Sequence, residues 1–264
     1  MAVLLWFFLA VVCAVIVYCL WYAFKPVNET ESFTERPRVV VSFTTIPSRL
    51  PFLGDVAEQM QKQTYQPDRV YACIPQVSAR FGTAYDMTSV NIPSNLTVIR
   101  TDDYGPATKL LGCLEYERDP DTIVITIDDD VVYSENLIKN LVQEALENPD
   151  KRVGSRATSR RNTYPINYKK RNENSESIML EGFGGIAYRR GMISDETRQR
   201  LQTMHHDHPC WKSDDVTFDR LITYQKIKVP NLVDTTDTPL EHLDALQDDA
   251  RKATYKQCFV ALGD

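Results

Sequence analysis

The sequence predicts an α/β domain, a mostly parallel sheet flanked by helices, set behind a single N-terminal transmembrane helix. Three observations carry that expectation. Between residues 38 and 230, short β-branched runs alternate with segments whose apolar residues recur at helical spacing, the pattern of a parallel sheet covered on both faces. Residues 1–24, MAVLLWFFLAVVCAVIVYCLWYAF, contain no charged side chain. The whole chain of 264 residues is 25% charged with a formal charge of −6, which describes an ordinary globular protein, neither disordered nor fibrous.

The elements follow in order. Residues 1–24 exceed the ~20 apolar residues a membrane-crossing helix needs, whereas a cleaved signal peptide has an apolar region of only ~7–15 residues behind a basic start. The stretch reads as an uncleaved anchor, with a signal peptide as the alternative; Trp6, Trp21 and Tyr22 lie near its ends, as interfacial aromatics do. Residues 25–37, KPVNETESFTERP, form a polar stem or linker. The domain then occupies 38–264. RVVVSF is a buried strand, and PFLGDVAEQMQKQ puts Phe52, Leu53, Val56, Ala57 and Met60 on one helical face. RVYACI and LTVIR are strands, ATKLLGCLEYE is helical, TIVITI is a strand, and SENLIKNLVQEALEN is a helix with Ser134 as its N-cap. Further on, IMLEGFGGIAYRR reads as a glycine turn before a strand, ISDETRQRLQTM and DVTFDRLITYQ as helices, KIKVP as a last strand, and the tail 238–258 as helical. About 225 residues beyond the linker suit one domain.

Which side of the membrane the domain faces is read two ways. Lys25, Arg36 and Arg38 follow the anchor and no Lys or Arg precedes it, which by the positive-inside rule keeps the domain cytoplasmic. Asn28–Glu29–Thr30 and Asn95–Leu96–Thr97 are glycosylation sequons, which favour a lumenal domain. Cys73, Cys113, Cys210 and Cys258 lie beyond the anchor with no CxxC pair. Cys73 and Cys113 sit in apolar patterns and read as buried free thiols; a disulfide is neither implied nor excluded. The mildly acidic balance gives no support to nucleic acid as a partner.

The chemistry concentrates at strand ends. TIVITI runs straight into Asp128, Asp129 and Asp130. Adjacent carboxylates repel, so something must compensate them. On an extended chain Asp128 and Asp130 share one side and Asp129 takes the other, and two carboxylates on one side can hold Mn²⁺ or Mg²⁺. TTIPSR (44–49) follows the first strand, so it and the triplet fall at the carboxyl edge of one sheet, where ligands bind in such folds. Asp214 and Asp215 open a helix, whose dipole favours their charged forms. Residues 151–172 are strongly basic and read either as a solvated loop or as a patch for anionic acceptors or a membrane surface. HHDHPCW (205–211) has an i,i+3 histidine pair but no second ligand pair, so a mobile loop is preferred to a zinc site.

Four stretches in order, VVVSFTTIPSRL (39–50), DYGPATKLLG (103–112), IDDDVVY (127–133) and KSDDVTFDRLI (212–222), resemble the glycosyltransferase-2-like, nucleotide-sugar-dependent glycosyltransferases of the GT-A (Rossmann-like) fold. The resemblance covers nearly all of 38–230 and implies sugar transfer from a nucleoside-diphosphate sugar to a glycan or other hydroxyl acceptor, with inversion and a divalent cation. It implies Asp215 as base with Asp214 its neighbour, and metal ligation by Asp128 and Asp130, with His242 a third candidate. Donor binding would fall to Thr44, Thr45, Ile46, Pro47, Arg49, Asp103, Lys109, Asp128 and Asp129. Glu181, Gly182, Gly184 and Gly185 would shape the acceptor side, with Trp211 stacking on a sugar ring. It also favours a domain in the Golgi or ER lumen. Two other readings stand: a haloacid-dehalogenase-type phosphatase, whose Asp-x-Asp motif Asp128–Asp130 matches but which should open its domain with it, and a non-catalytic GT-A-like glycan-binding protein.

Overall fold

The computed structural model describes residues 36–88, 90–159, 178–229, 233–234 and 248–262. The chain divides into two compact units, Met1–Arg36 and Pro37–Asp264, and the fold below is that of the second. The expected anchor, nearly all of the stem, the Asn28 sequon, His242 and most of the basic stretch lie outside the described residues. Among the described residues no helix is long and apolar enough to cross a membrane.

In chain order the elements are β1 (Val39–Phe43), a 3-10 turn (Pro47–Phe52) leading into α1 (Leu53–Gln61), β2 (Arg69–Pro75), the short pair β3 (Val77–Ser78) and β4 (Thr83–Ala84), β5 (Thr97–Thr101), α2 (Thr108–Leu114), β6 (Ile123–Thr126), β7 (Val132–Tyr133), α3 (Leu137–Glu147), β8 (Lys151–Gly154), β9 (Ala157–Ser159), β10 (Ile178–Leu180), β11 (Ile186–Arg189), α4 (Asp195–Gln202), α5 (Asp214–Leu221), β12 (Gln225–Lys228), β13 (Val233–Asp234) and α6 (Asp248–Ala261). Seven strands form the central sheet in the order β12–β8–β11–β6–β1–β2–β5. β1 runs parallel to β2 and β6, β2 to β5, and β12 to β8, while β11 runs antiparallel between β6 and β8. The sequence therefore reads the α/β class and the mostly parallel sheet correctly.

The two faces explain the unbroken apolar runs. Val39, Val41 and Phe43 point to the layer of α1 and α3, while Val40 points to the layer of α2, α4, α5 and α6. A strand covered on both faces has no solvent side, so alternation disappears. On α1, Leu53, Val56, Ala57 and Met60 are buried as the periodicity requires.

Local expectations fail where tertiary contacts intervene. Ser134 does not cap α3. That helix begins at Leu137 with Asn136 at the N-cap position, because β7 pairs with β13 and keeps residues 132–133 extended. Helix α2 stops at Leu114, short of Glu117. The Glu117 carboxylate instead accepts from Arg38 at 2.7 and 2.8 Å and from Tyr71 Oη at 2.6 Å. Asn95 donates its side-chain amide to Ala57 O at 2.9 Å.

Candidate active site

The loops after β1, β2, β5 and β6 converge at the carboxyl edge of the sheet around a cavity of about 270 Å³. Its walls include Thr44, Thr45, Ile46, Arg49, Asp103, Lys109, Asp128, Asp129 and Asp130. Pro47 is not among the lining residues; it opens the 3-10 turn that carries Arg49. That turn makes Arg49 a buried residue aimed at the triplet.

The triplet does not extend the strand. Asp129 and Asp130 lie in a turn, so two-residue alternation does not hold there. Arg49 Nη1 lies 2.9 Å from both Asp129 Oδ1 and Asp130 Oδ2. Asp129 also accepts from Thr45 Oγ1 at 2.5 Å. Asp128 pairs with Lys109 Nζ at 2.6 Å, and its backbone N–H donates to Tyr133 Oη at 2.9 Å. Two protein cations thus stand against the three carboxylates, where the sequence reading relied on a metal alone. Burial first, and then the charge of Asp128, push Asp130 up to about 6 despite Arg49.

Lys109 joins this cluster to the second acidic site. Its Nζ lies 2.6 Å from Asp128 Oδ1 and 2.8 Å from Asp214 Oδ2, with the side chain 3% exposed. Burial alone would push the ammonium down, but Asp128, Asp214 and Asp215 outweigh it and hold the group well above its ordinary value. Asp214 is buried. Asp215 keeps some solvent access. Its Oδ1 accepts from Gly182 N at 2.6 Å and its Oδ2 from Tyr255 Oη at 2.5 Å. Burial and the neighbouring Asp214 push Asp215 up to about 8, against the pull of Lys109 and these two donors. Neither Asp214 nor Asp215 is on the cavity wall; they sit behind Lys109.

The expected acceptor residues are placed differently. Trp211 is 5% exposed and packs on Gly105. It walls the same cavity as the donor candidates and does not stand free to stack on a second sugar. Gly184 lies against Arg156, and Gly185, at φ +81°, lies against Leu137 and Leu141, so both serve packing. Glu181 precedes the turn, and its backbone N–H donates to Arg156 O at 3.0 Å. The glycine that touches the chemistry is Gly182, where a Cβ would stand 2.9 Å from Lys109 Nζ and 3.1 Å from Asp215 Oδ1. Sequence reasoning missed Ser78, Arg80 and Tyr85, brought to the cavity by the β3–β4 hairpin; only the Phe81–Gly82 turn, with Gly82 at φ +63°, signals it. It also missed Tyr255 and a disulfide between Cys210 and Cys258. Cys73 and Cys113 are buried free thiols. Among the described residues, no cluster of three or more His, Cys, Asp or Glu is arranged to hold a metal, and none forms at His205 and His208.

Asp128 and Asp130 still fit a divalent cation. Each has one carboxylate oxygen paired with Lys109 or Arg49, and both line the cavity. Hard carboxylate oxygens are the donors Mg²⁺ or Mn²⁺ prefers.

No protein-family model and no curated protein matches the chain. Among solved structures, the mannosyltransferase PcManGT from Pyrobaculum calidifontis, in complex with GDP-Man and Mn²⁺, aligns at 19% identity and a TM-score of 0.48, over 86% of this chain and 70% of its own. The galactosyltransferase LgtC, in complex with donor and acceptor sugar analogs, aligns at 12% and 0.44, over 82% and 83%. The cytidylyltransferase IspD from Francisella tularensis aligns at 11% and 0.44, over 83% and 98%. Likenesses this distant assign no activity to the chain.

Proposed function

We propose that this chain is a GT-A-type, metal-dependent glycosyltransferase that moves a sugar from a nucleoside-diphosphate sugar to a hydroxyl acceptor with inversion. One observation carries the reading: Lys109, on the cavity wall, bridges Asp128 of the triplet and, behind that wall, Asp214 of the acid pair. Transfer needs positive charge where the diphosphate leaves and a base where the acceptor loses its proton. A cation shared by the two acidic groups supports reading them as parts of one site.

In this reading Thr44, Thr45, Ile46 and Asp103 hold the nucleoside end, and Arg49 and Lys109 face the phosphates. Asp128 and Asp130 would hold Mn²⁺ or Mg²⁺, whose charge stabilises the departing diphosphate. The acceptor oxygen bonds to the anomeric carbon as the bond to the diphosphate oxygen breaks, and its proton passes to Asp215. A carboxylate raised to about 8 is a stronger base than an ordinary one, which suits that step. His242 as a further ligand belongs to the same proposal. So does a lumenal orientation, supported by the disulfide, since such bonds persist in oxidising compartments.

The test is a thermal-shift panel of nucleotide sugars, with and without Mn²⁺, on the chain lacking residues 1–25. At a hundredfold excess over its Kd the right donor adds about 2.7 kcal/mol, with the gain dependent on metal. The panel is followed by NMR of the product's anomeric configuration. No metal-dependent shift with any donor would overturn the proposal, and a shift without hydrolysis or transfer would identify a binding protein instead.

A further inference from the structure

We propose that Tyr255 is a positioning residue for Asp215, and that the Cys210–Cys258 disulfide holds it in place. The inference rests on the reading of Asp215 as the base. Asp215 opens α5, while Tyr255 comes from α6, 40 residues later, and they meet as Tyr255 Oη donates to Asp215 Oδ2 at 2.5 Å. Gly182 N occupies the other oxygen at 2.6 Å. A carboxylate with one fixed donor on each oxygen has its plane and its rotamer set.

The crosslink makes this contact more than a chance approach of a terminal helix. Cys258 follows Tyr255 by three residues, so both lie on one face of α6. Cys210 lies five residues before Asp215. Segment 210–215 and α6 are therefore tied twice, once covalently and once by the phenol. Both sulfurs are buried, with Cys210 2% and Cys258 0% exposed. Trp211, next to Cys210, packs on Gly105 at the cavity wall, so the same link steadies the wall and the base.

The charged and titratable groups around Asp215 are Asp214 beside it on α5, Lys109 from α2, Tyr188 from β11 and Tyr255 from α6, with Glu181 acting on Tyr255. Burial, and then Asp215 itself, hold the Tyr255 phenol well above its ordinary range, so it stays a donor. Loss of that donor removes a bond that favours the charged carboxylate, and Asp215 should hold its proton to higher pH.

The experiment compares the full chain in detergent with Tyr255→Phe, which deletes the hydroxyl and keeps the ring. We expect kcat to fall about tenfold, the loss of one hydrogen bond to a charged group, with KM for the donor within about twofold and a melting point within a few degrees of wild type. The rising limb of the kcat/KM profile should move to higher pH. A second readout needs no activity: ¹³C NMR titration of the aspartate carboxyls, with the Asp215 signal assigned by its absence in Asp215→Asn. Its midpoint should rise in Tyr255→Phe. Cys210→Ser/Cys258→Ser should also raise the midpoint, and adding Tyr255→Phe to that pair should add little, because both act on one contact. An unchanged Asp215 midpoint in Tyr255→Phe, or fully additive losses, would overturn the proposal. Absence of transfer in wild type would count against the glycosyltransferase reading, and the NMR arm would still decide the role of Tyr255.

Discussion

Lys109 Nζ stands 2.8 Å from Asp214 Oδ2, in a pocket where the lysine side chain is 3% exposed. The same ammonium lies 2.6 Å from Asp128. One buried cation is therefore shared between a strand-end carboxylate and a helix-start carboxylate from distant parts of the sequence, and each depends on it for neutralisation.

Lys109→Met tests that dependence. Removing one partner of a buried ion pair leaves the other charge uncompensated, at a cost of about 3–5 kcal/mol. Urea unfolding should show a loss in that range, and an activity assay should show loss of the proposed transfer. Stability near that of wild type would mean the carboxylates do not rely on Lys109.

Asp130→Asn should weaken Mn²⁺ binding by at least about tenfold, read by isothermal titration calorimetry. Wild-type binding should itself depend on pH. Asp130 is pushed up to about 6 by burial and by Asp128, and a ligand must be deprotonated to bind. Affinity should fall as pH drops below about 6, with proton uptake by the released carboxylate.

Asp215 gives a pH signature in both activity and stability. If it is the base, kcat/KM should rise through about pH 8, and Asp215→Asn should lose about 10²–10⁴-fold and the limb itself. For stability the sign is opposite. The folded protein holds this proton more tightly than the unfolded chain, where an Asp titrates near ~3.9. The contribution is full below that value and is lost as pH rises through about 8. Unfolding free energies measured across this window should slope downward in wild type and less so in Asp215→Asn.

Gly105→Ala should disturb the cavity from its wall. Gly105 sits at φ +62°, and a Cβ there would fall 2.5 Å from the Trp211 backbone oxygen. Strain of that kind costs about 1–3 kcal/mol. The melting point should drop and donor KM rise together; an unchanged KM would separate Trp211 from the donor pocket.

Much of this arrangement was legible in the chain itself. The β-branched runs of β1, β2 and β6 mark strands buried on both faces, and the polar residues immediately after them mark the ligand edge. The acid triplet and the acid pair stand out because carboxylates at the ends of apolar elements demand compensation. What compensates them was hidden. Nothing local pairs Lys109 with Asp214, or Arg49 with two adjacent aspartates; those meetings are set by how helices pack across the sheet. The direction of β11 is equally silent, since IAYR reads the same whether it runs with β6 or against it. Ser134 misled because a β7–β13 pairing outcompeted its capping propensity, and Trp211 because an aromatic in a polar loop carries no sign that Gly105 lies beneath it. Tyr255 and Cys258 lie in an ordinary amphipathic tail whose importance depends wholly on what it touches.

The separation of 48 residues between Cys210 and Cys258 has a consequence for biogenesis. Cys258 leaves the ribosome only after every described strand of the sheet has been made, so the site acquires this fastening late and only once an oxidant has acted. A nascent chain with both thiols reduced already carries the acidic clusters but not the clasp. The setting of Asp215 by Tyr255 would then be gained at maturation, and chains emerging from a reducing host would be expected to gain it on oxidation after purification.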